Sequence, residues 1–201
     1  GSSLGMSGAL LQGMLKNGLA SPYLLGISAG SGLVIVFFIS FGFIQTLIPF
    51  AAWIGAILTT LIVFVLSKDG NKIVVERLVL GGVAISSLFG AIQASLLLQA
   101  EDGRIQAALN WLIGSLNARG WQEIKFTALP ILIALFVGLF LYRQLNLLSL
   151  GDELSVSLGT SLFRSRCLIG AIATLLAACA VSIGGLIGFI GLIVPHFSRL
   201  L

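Results

Sequence analysis

The sequence predicts an all-α, polytopic transmembrane helical bundle. Three observations carry this. The 201 residues are 58% apolar and only 9% charged, against about 25% charged in a soluble domain. The mean hydropathy is +1.12. Five apolar stretches near or above the length of about 20 residues that crosses a bilayer follow one another without an Asp, Glu, Lys or Arg.

Those stretches are residues 23–43, 47–66, 78–98, 126–142 and 167–194. A sixth, 4–15, is too short to span and reads as the tail of a span. The last is too long for one straight pass, so a break is expected at Ser182-Ile183-Gly184-Gly185, with a short second helix up to Pro195. Glycine is abundant, 25 residues against 4 prolines. Close helix packing in lipid favours such a composition. Gly26 with Gly30 and Gly184 with Gly188 are spaced as small-xxx-small pairs.

The polar residues lie between the apolar stretches. Placing the loop at Lys16 inside puts Lys16, Lys68, Lys72, Arg77, Arg143, Arg164 and Arg166 on the cytoplasmic side. Arg104, Arg119, Lys125 and Arg199 then face outward, and seven against four obeys the positive-inside rule. The net charge of +4 is a topology signal of singly placed residues. No basic stripe suggests nucleic acid. The outer connection 99–125 contains a short helix over 104–116, with Ile105, Leu109, Leu112 and Ile113 on one face. Trp111 and Trp121 are expected at the headgroup boundary. Cys167 and Cys179 have no partner motif and read as packing residues.

What is missing narrows the function. The chain has no phosphate-binding G-x-x-x-x-G-K-[ST] motif. Its one histidine, His196, has no cluster of ligands around it, so no metal site and no catalytic residue are assigned. An intramembrane enzyme is therefore the weakest reading. The stretches hold no intramembrane carboxylate of the kind ion-coupled carriers use. Uphill transport would need energy from another polypeptide; the alternative is a passive channel or facilitator for a small solute.

Two segments are candidates for function. Gly81, Gly82, Ser86, Ser87 and Gly90, with Gln93 on the same helix, form a small, weakly polar face. It serves either helix packing or a wide translocation path. In Leu150–Gly159, Asp152 is placed to cap a short helix, Glu153 adds negative charge at its start, and Gly159 is a stop. Leu150, Leu154 and Leu158 recur every four residues on one face. The segment is an interfacial helix lying on lipid or a knob for a cytoplasmic partner, with Arg164 and Arg166 available to that partner's acids.

Six ordered blocks carry a resemblance. They are Ser7-Gly8-Ala9-Leu10-Leu11-Gln12; Leu19-Ala20-Ser21-Pro22-Tyr23 through Gly30, with Asn17 before it; Leu80-Gly81-Gly82-Val83-Ala84; Trp111-Leu112-Ile113-Gly114-Ser115-Leu116; Leu150-Gly151-Asp152-Glu153 with Leu158-Gly159; and Ile187-Gly188-Phe189-Ile190-Gly191-Leu192-Ile193-Val194-Pro195-His196. Together they resemble the FecCD-type permeases of binding-protein-dependent ABC importers, whose cargoes include ferric siderophores, haem and cobalamin. The resemblance implies a BtuC-like fold with about five to six spans of an expected ten. Residues 1–201 would form one permease domain, an internal fragment lacking the first span and the C-terminal spans. It implies a bacterial plasma (inner) membrane location, a second permease subunit, identical or homologous, and an extracytoplasmic substrate-binding protein. ATP would be bound by a partner ATPase and no cofactor by this chain. Leu150, Gly151, Asp152, Glu153, Leu154, Leu158 and Gly159 would match the ATPase-coupling helix, and Asn71, Lys72 and Glu76 the region of the inner gate. One departure is Asn17-Gly18, where the family usually has Asn-Pro.

Overall fold

Leu162–Gly184 forms the axis of the molecule, a 23-residue helix with 61% of its apolar window buried against its neighbours. We describe it and its surroundings from a computed structural model, which places all residues except 44–46, 71, 118–119 and 201, and the side chains of 122–123 and 199–200. The described helices are α1 (Ser2–Leu15), α2 (Ile27–Ser40), α3 (Ile48–Leu66), α4 (Val75–Leu98), α5 (Asp102–Ile113), α6 (Trp121–Phe140), α7 (Tyr142–Ser149), α8 (Asp152–Ser157), α9 (Leu162–Gly184) and α10 (Ile190–Leu200). A 3-10 turn, Pro22–Leu25, precedes α2, and two short strands, β1 (Lys68–Asp69) and β2 (Lys72–Ile73), pair antiparallel between α3 and α4. By length and composition α3, α4 and α9 can each cross a membrane. The bent pair of α6 and α7 makes up to four, with a 48° change of direction at Leu141.

Helix crossings are fixed by glycine. A Cβ on Gly30 would lie 2.4 Å from the Gly55 carbonyl oxygen, and one on Gly55 would lie 2.5 Å from that of Gly30. The backbones of α2 and α3 therefore touch, and the Ser31 hydroxyl donates to the Ala52 carbonyl across the same crossing at 2.9 Å. In the other tight crossing a Cβ on Gly8 of α1 would overlap the Gly191 carbonyl of α10 at 1.7 Å. The two expected pairs differ: the would-be Cβ atoms of Gly26 and Gly30 both meet Thr59 of α3, at 2.9 and 1.8 Å, whereas Gly184 and Gly188 form no such pair. Gly26 sits at the N-cap of α2 with φ +75, outside the helix body. Gly184 ends α9 and Gly188 lies in the break, with nothing within 4 Å of its would-be Cβ. They share no helix, so they form no small-xxx-small ridge.

The predicted stretches become shorter or longer for local reasons. The span from residue 23 loses its first turn to the 3-10 segment that Pro22 starts, leaving 14 residues in α2. That is about 21 Å at 1.5 Å per residue, well short of the hydrocarbon core. The turn at Asn17-Gly18 closes without the family's proline, because the Asn17 side-chain oxygen accepts from the Leu19 amide at 2.9 Å. At its other end α9 begins five residues earlier than the apolar stretch, bringing Arg164 and Arg166 into its first turns.

The last stretch is broken, but α10 passes through Pro195 and runs to Leu200, further than expected. Its direction follows from two registers. Ser3 and Ser7 of α1 donate to the carbonyls of Leu176 and Ala173, so α9 runs antiparallel to α1. Gly5 and Gly8 of α1 face Val194 and Gly191, so α10 is antiparallel to α1 as well. α9 and α10 thus run parallel, and residues 185–189 return the chain between them. The reversal uses left-handed backbone at Gly185 (φ +76) and at Phe189 (φ +65). Irregular backbone at membrane depth needs partners within the protein. Here the Tyr23 hydroxyl donates to the Ile187 carbonyl at 2.7 Å, the Ser115 amide to the Gly184 carbonyl at 2.8 Å, and the Gln12 amide to the Leu192 carbonyl at 3.3 Å.

α5 differs in face from the sequence expectation. Its buried residues are Ala108 and Trp111, flanked by half-buried Arg104, Ile105 and Leu112, while Leu109 and Ile113 are exposed. Trp111 is 7% exposed, packed into the core, so it is no boundary anchor, whereas Trp121 at 78% keeps that expectation open. The Arg104 guanidinium donates to the Ser40 carbonyl at 2.7 Å and pairs with Glu101, which ties α5 to the end of α2.

Candidate functional site: a junction at the charged end of the bundle

Three segments far apart in sequence meet at the end of the bundle that holds Lys16, the β1–β2 hairpin and α8. The hairpin joins Lys68 to Ile73 and Asp69 to Lys72, with Gly70 supplying a left-handed residue (φ +57) for the turn. It is tied down on two sides. The Lys68 ammonium sits 5.4 Å from the centre of the Phe163 ring of α9, and Asp69 pairs with Arg77 of α4 at 3.6 Å. Lys72 and Glu76 are exposed at this end, while Asn71 lies outside the described residues.

α8 is a single capped turn and a half. Gly151 (φ +112) is its N-cap, and Gly159 (φ +81) follows its C-cap Leu158. The Thr160 amide donates to the Ser155 carbonyl and the Gly159 amide to the Val156 carbonyl, both at 2.9 Å. This is the Schellman arrangement, for which a left-handed glycine is the usual residue. The buried Ser155 hydroxyl shares its single hydrogen between the carbonyls of Leu147 and Gly151, fastening α8 to α7. Leu150, Leu154, Val156 and Leu158 are left 53–59% exposed. Glu153 is exposed beside them.

Asp152 does not cap the helix, because no side-chain cap bond forms there. Its two carboxylate oxygens accept from one nitrogen of Arg166 at 2.7 and 3.0 Å. The other terminal nitrogen of Arg166 donates to the Ile73 carbonyl of β2 at 2.7 Å. Lys16, at the end of α1, approaches Asp152 at 4.0 Å. Arg166 is 4% exposed, so the expectation that it reaches a partner's acids is overturned: it is consumed inside the chain. Arg164, two residues earlier, is exposed and keeps that possibility. A planar guanidinium can serve two acceptors in fixed directions, which a lysine cannot do. The groove above this junction is lined by Met14, Lys16, Lys72, Glu76, Asp152 and Arg166 among others.

The second candidate, on α4, divides into two faces. Gly82 packs against the backbone of Leu24, where a Cβ would lie 1.8 Å from the carbonyl oxygen. Ser86 is half-buried beside it, and the Gln93 amide donates to the Ala29 carbonyl of α2 at 3.0 Å. Gln93 thus cross-links two helices, the packing role among the two the sequence left open for this face. Ser87 and Gly90 point away and are exposed, and Gly81 has only ordinary contacts. Only 11% of the apolar window of α4 is buried within the chain, so this helix offers nearly its whole outer face. Among the described residues no group of three or more His, Cys, Asp or Glu side chains is placed to hold a metal ion.

The fold and this junction define a multi-pass helical membrane protein with a charged, structured end. The whole chain, residues 1–201, matches the FecCD transport family, and the protein belongs to that family. It is 37% identical to the haemin transport system permease protein HmuU of Yersinia pestis over 206 residues, covering 100% of this chain and 61% of that one. It is 38% identical to the ferric enterobactin transport system permease protein FepD of Escherichia coli K12 over 203 residues, covering 99% and 60%. It is 36% identical to the cobalamin import system permease protein BtuC of Halobacterium salinarum, covering 100% and 54%. A solved structure of an ABC transporter of metal-chelate type, in an inward-facing conformation, superposes with a TM-score of 0.92 at 31% identity, covering 100% of this chain and 65% of that one. The chain spans about 60% of the length of the curated relatives it matches.

Proposed function

We propose that this chain belongs to the permease of a binding-protein-dependent ABC importer that carries a ferric siderophore or a related metal chelate across the bacterial inner membrane. The observation that carries the proposal is α8. It is a doubly anchored turn that, with its flanking residues, presents Leu150, Leu154 and Leu158 outward at 53–59% exposure. An apolar knob held at the charged end of a bundle fits docking by a helix-sized groove on a cytoplasmic partner. That partner is an ATPase, which binds the ATP; this chain binds no cofactor. The spans supply no ion-coupling carboxylate, which is why the energy is assigned to the partner. A second permease subunit, identical or homologous, covers the outer face of α4, where Ser87 and Gly90 line the path, and an extracytoplasmic binding protein delivers the cargo. Lys72, Glu76 and the hairpin flank the inner gate. The names of the relatives support the cargo class, since they read haemin, ferric enterobactin and cobalamin.

The test is uptake by the whole transporter in proteoliposomes, with ferric enterobactin, ferric citrate, haemin and cobalamin offered in turn with and without ATP. The proposal expects uptake of at least one only with ATP, and loss of both uptake and ATPase co-purification in Leu154→Asp/Leu158→Asp. These two side chains are exposed, so the substitutions leave the fold intact. Equal flux without nucleotide would establish the passive channel instead.

A further inference from the structure

We propose that Arg166 is the positioning residue that locks the ATPase-docking helix to the gate hairpin, so that α8 and β1–β2 move as one body. The inference rests on the ABC-importer reading above and goes beyond it by naming how a push on α8 reaches the membrane helices.

The geometry is that of a bracket. α8 alone is six residues long and holds to α7 through Ser155. The hairpin alone is two residues per strand. Neither has a core of its own, and an isolated two-stranded ribbon is marginal in water. Arg166 joins them through two hydrogen bonds of 2.7 Å, one to Asp152 of α8 and one to the Ile73 carbonyl of β2. Its side chain is 5% exposed against 46% for Asp152, so the junction is sheltered on the arginine side and open on the side from which a partner would come. Beyond Ile73 the hairpin leads straight into α4, whose first turn is tied back to it by Asp69 and Arg77. Displacement of α8 therefore has a continuous route of hydrogen bonds to α4: Asp152, Arg166, the Ile73 carbonyl, then the strand itself. The route uses charge-assisted bonds, the stronger class.

The experiment uses the whole transporter with spin labels at Lys72 and Ser157, both exposed. In the wild type the distance between the labels stays a single narrow population with and without ATP. In Arg166→Gln it broadens, and the amount of cargo taken up per ATP hydrolysed falls about tenfold, within the range of coupling between contacting residues. Arg166→Lys, which keeps the charge but carries its donors on a single nitrogen and so cannot span both acceptors in the same geometry, recovers part of that ratio. Asp152→Asn is the second variant, since it is isosteric and folds if Arg166→Gln does not. The double variant Asp152→Asn/Arg166→Gln is no worse than Arg166→Gln alone, because both break one bracket. Additive losses, an unchanged uptake-to-ATP ratio, or a wild-type label distance that shifts with nucleotide would overturn the proposal while leaving ATP-driven uptake standing. A wild type with no ATP-dependent uptake of any of the four chelates would instead overturn the importer reading, and this proposal with it.

Discussion

Gly30 and Gly90 show how differently the same residue type is used in this chain. A methyl group on Gly30 would lie 2.4 Å from the Gly55 carbonyl and 1.8 Å from the Thr59 hydroxyl oxygen. The hydroxyl is itself bonded to Gly55, so it has little room to turn away. Gly30→Ala should therefore push α2 and α3 apart and cost about 3 kcal/mol or more, the upper end of overpacking penalties. Gly90, also in a helix, has nothing within 4 Å of its would-be Cβ. Gly90→Ala should be neutral or stabilising by up to about 1 kcal/mol through helix propensity. Thermal denaturation of the two purified variants in detergent reads the difference. Similar melting shifts for both would mean that the α2–α3 contact is not as close as described.

Among the elements, those written in periodicity were legible and those made by distant partners were not. The apolar stretches announced α3, α4, α6 and α9 because each keeps a long uncharged run. Leu150, Leu154 and Leu158 announced an exposed face on α8, and Gly159 announced its end, because both signals are local. Asp152 carries the local pattern of a cap but binds Arg166 instead, a partner 14 residues away whose burial has no local signature. The hairpin has no signature in the sequence, since four paired residues show no visible alternation. The choice between packing and path for Gln93 is not legible in the sequence, because its acceptor, the Ala29 carbonyl, is on another helix. The return segment 185–189 makes a prediction at this scale. The Tyr23 hydroxyl satisfies the Ile187 carbonyl where no helix can. Tyr23→Phe keeps the ring and removes only that donor. It should cost about 1–3 kcal/mol, the range for leaving a buried acceptor unsatisfied. Hydrogen exchange of the amides near 185–192 should rise with little change elsewhere. Unchanged protection there would show that the hydroxyl is not what holds the break.

At the level of the whole molecule the two ends differ in kind. One end gathers Lys16, Lys68, Lys72, Asp69, Arg77, Asp152 and Arg166 into paired contacts. The other carries α5, with Arg104 spent on the end of α2 and Ser115 bonded to the end of α9. Charge counting placed the first end inside, and the fold gives that count a structural meaning, because residues assigned to one side by the rule are also in contact. The orientation is then testable without knowing the cargo. Single cysteines at Ser157, exposed on α8, and at Asn117, exposed beyond α5, are introduced after Cys167 and Cys179 are replaced by Ala. A membrane-impermeant maleimide added to intact cells should label position 117 and leave position 157 unlabelled until the membrane is opened. Labelling of 157 from outside would invert the molecule. It would put α8 beyond the reach of any cytoplasmic ATPase, so the same result would remove the basis for ATP-driven import by this chain.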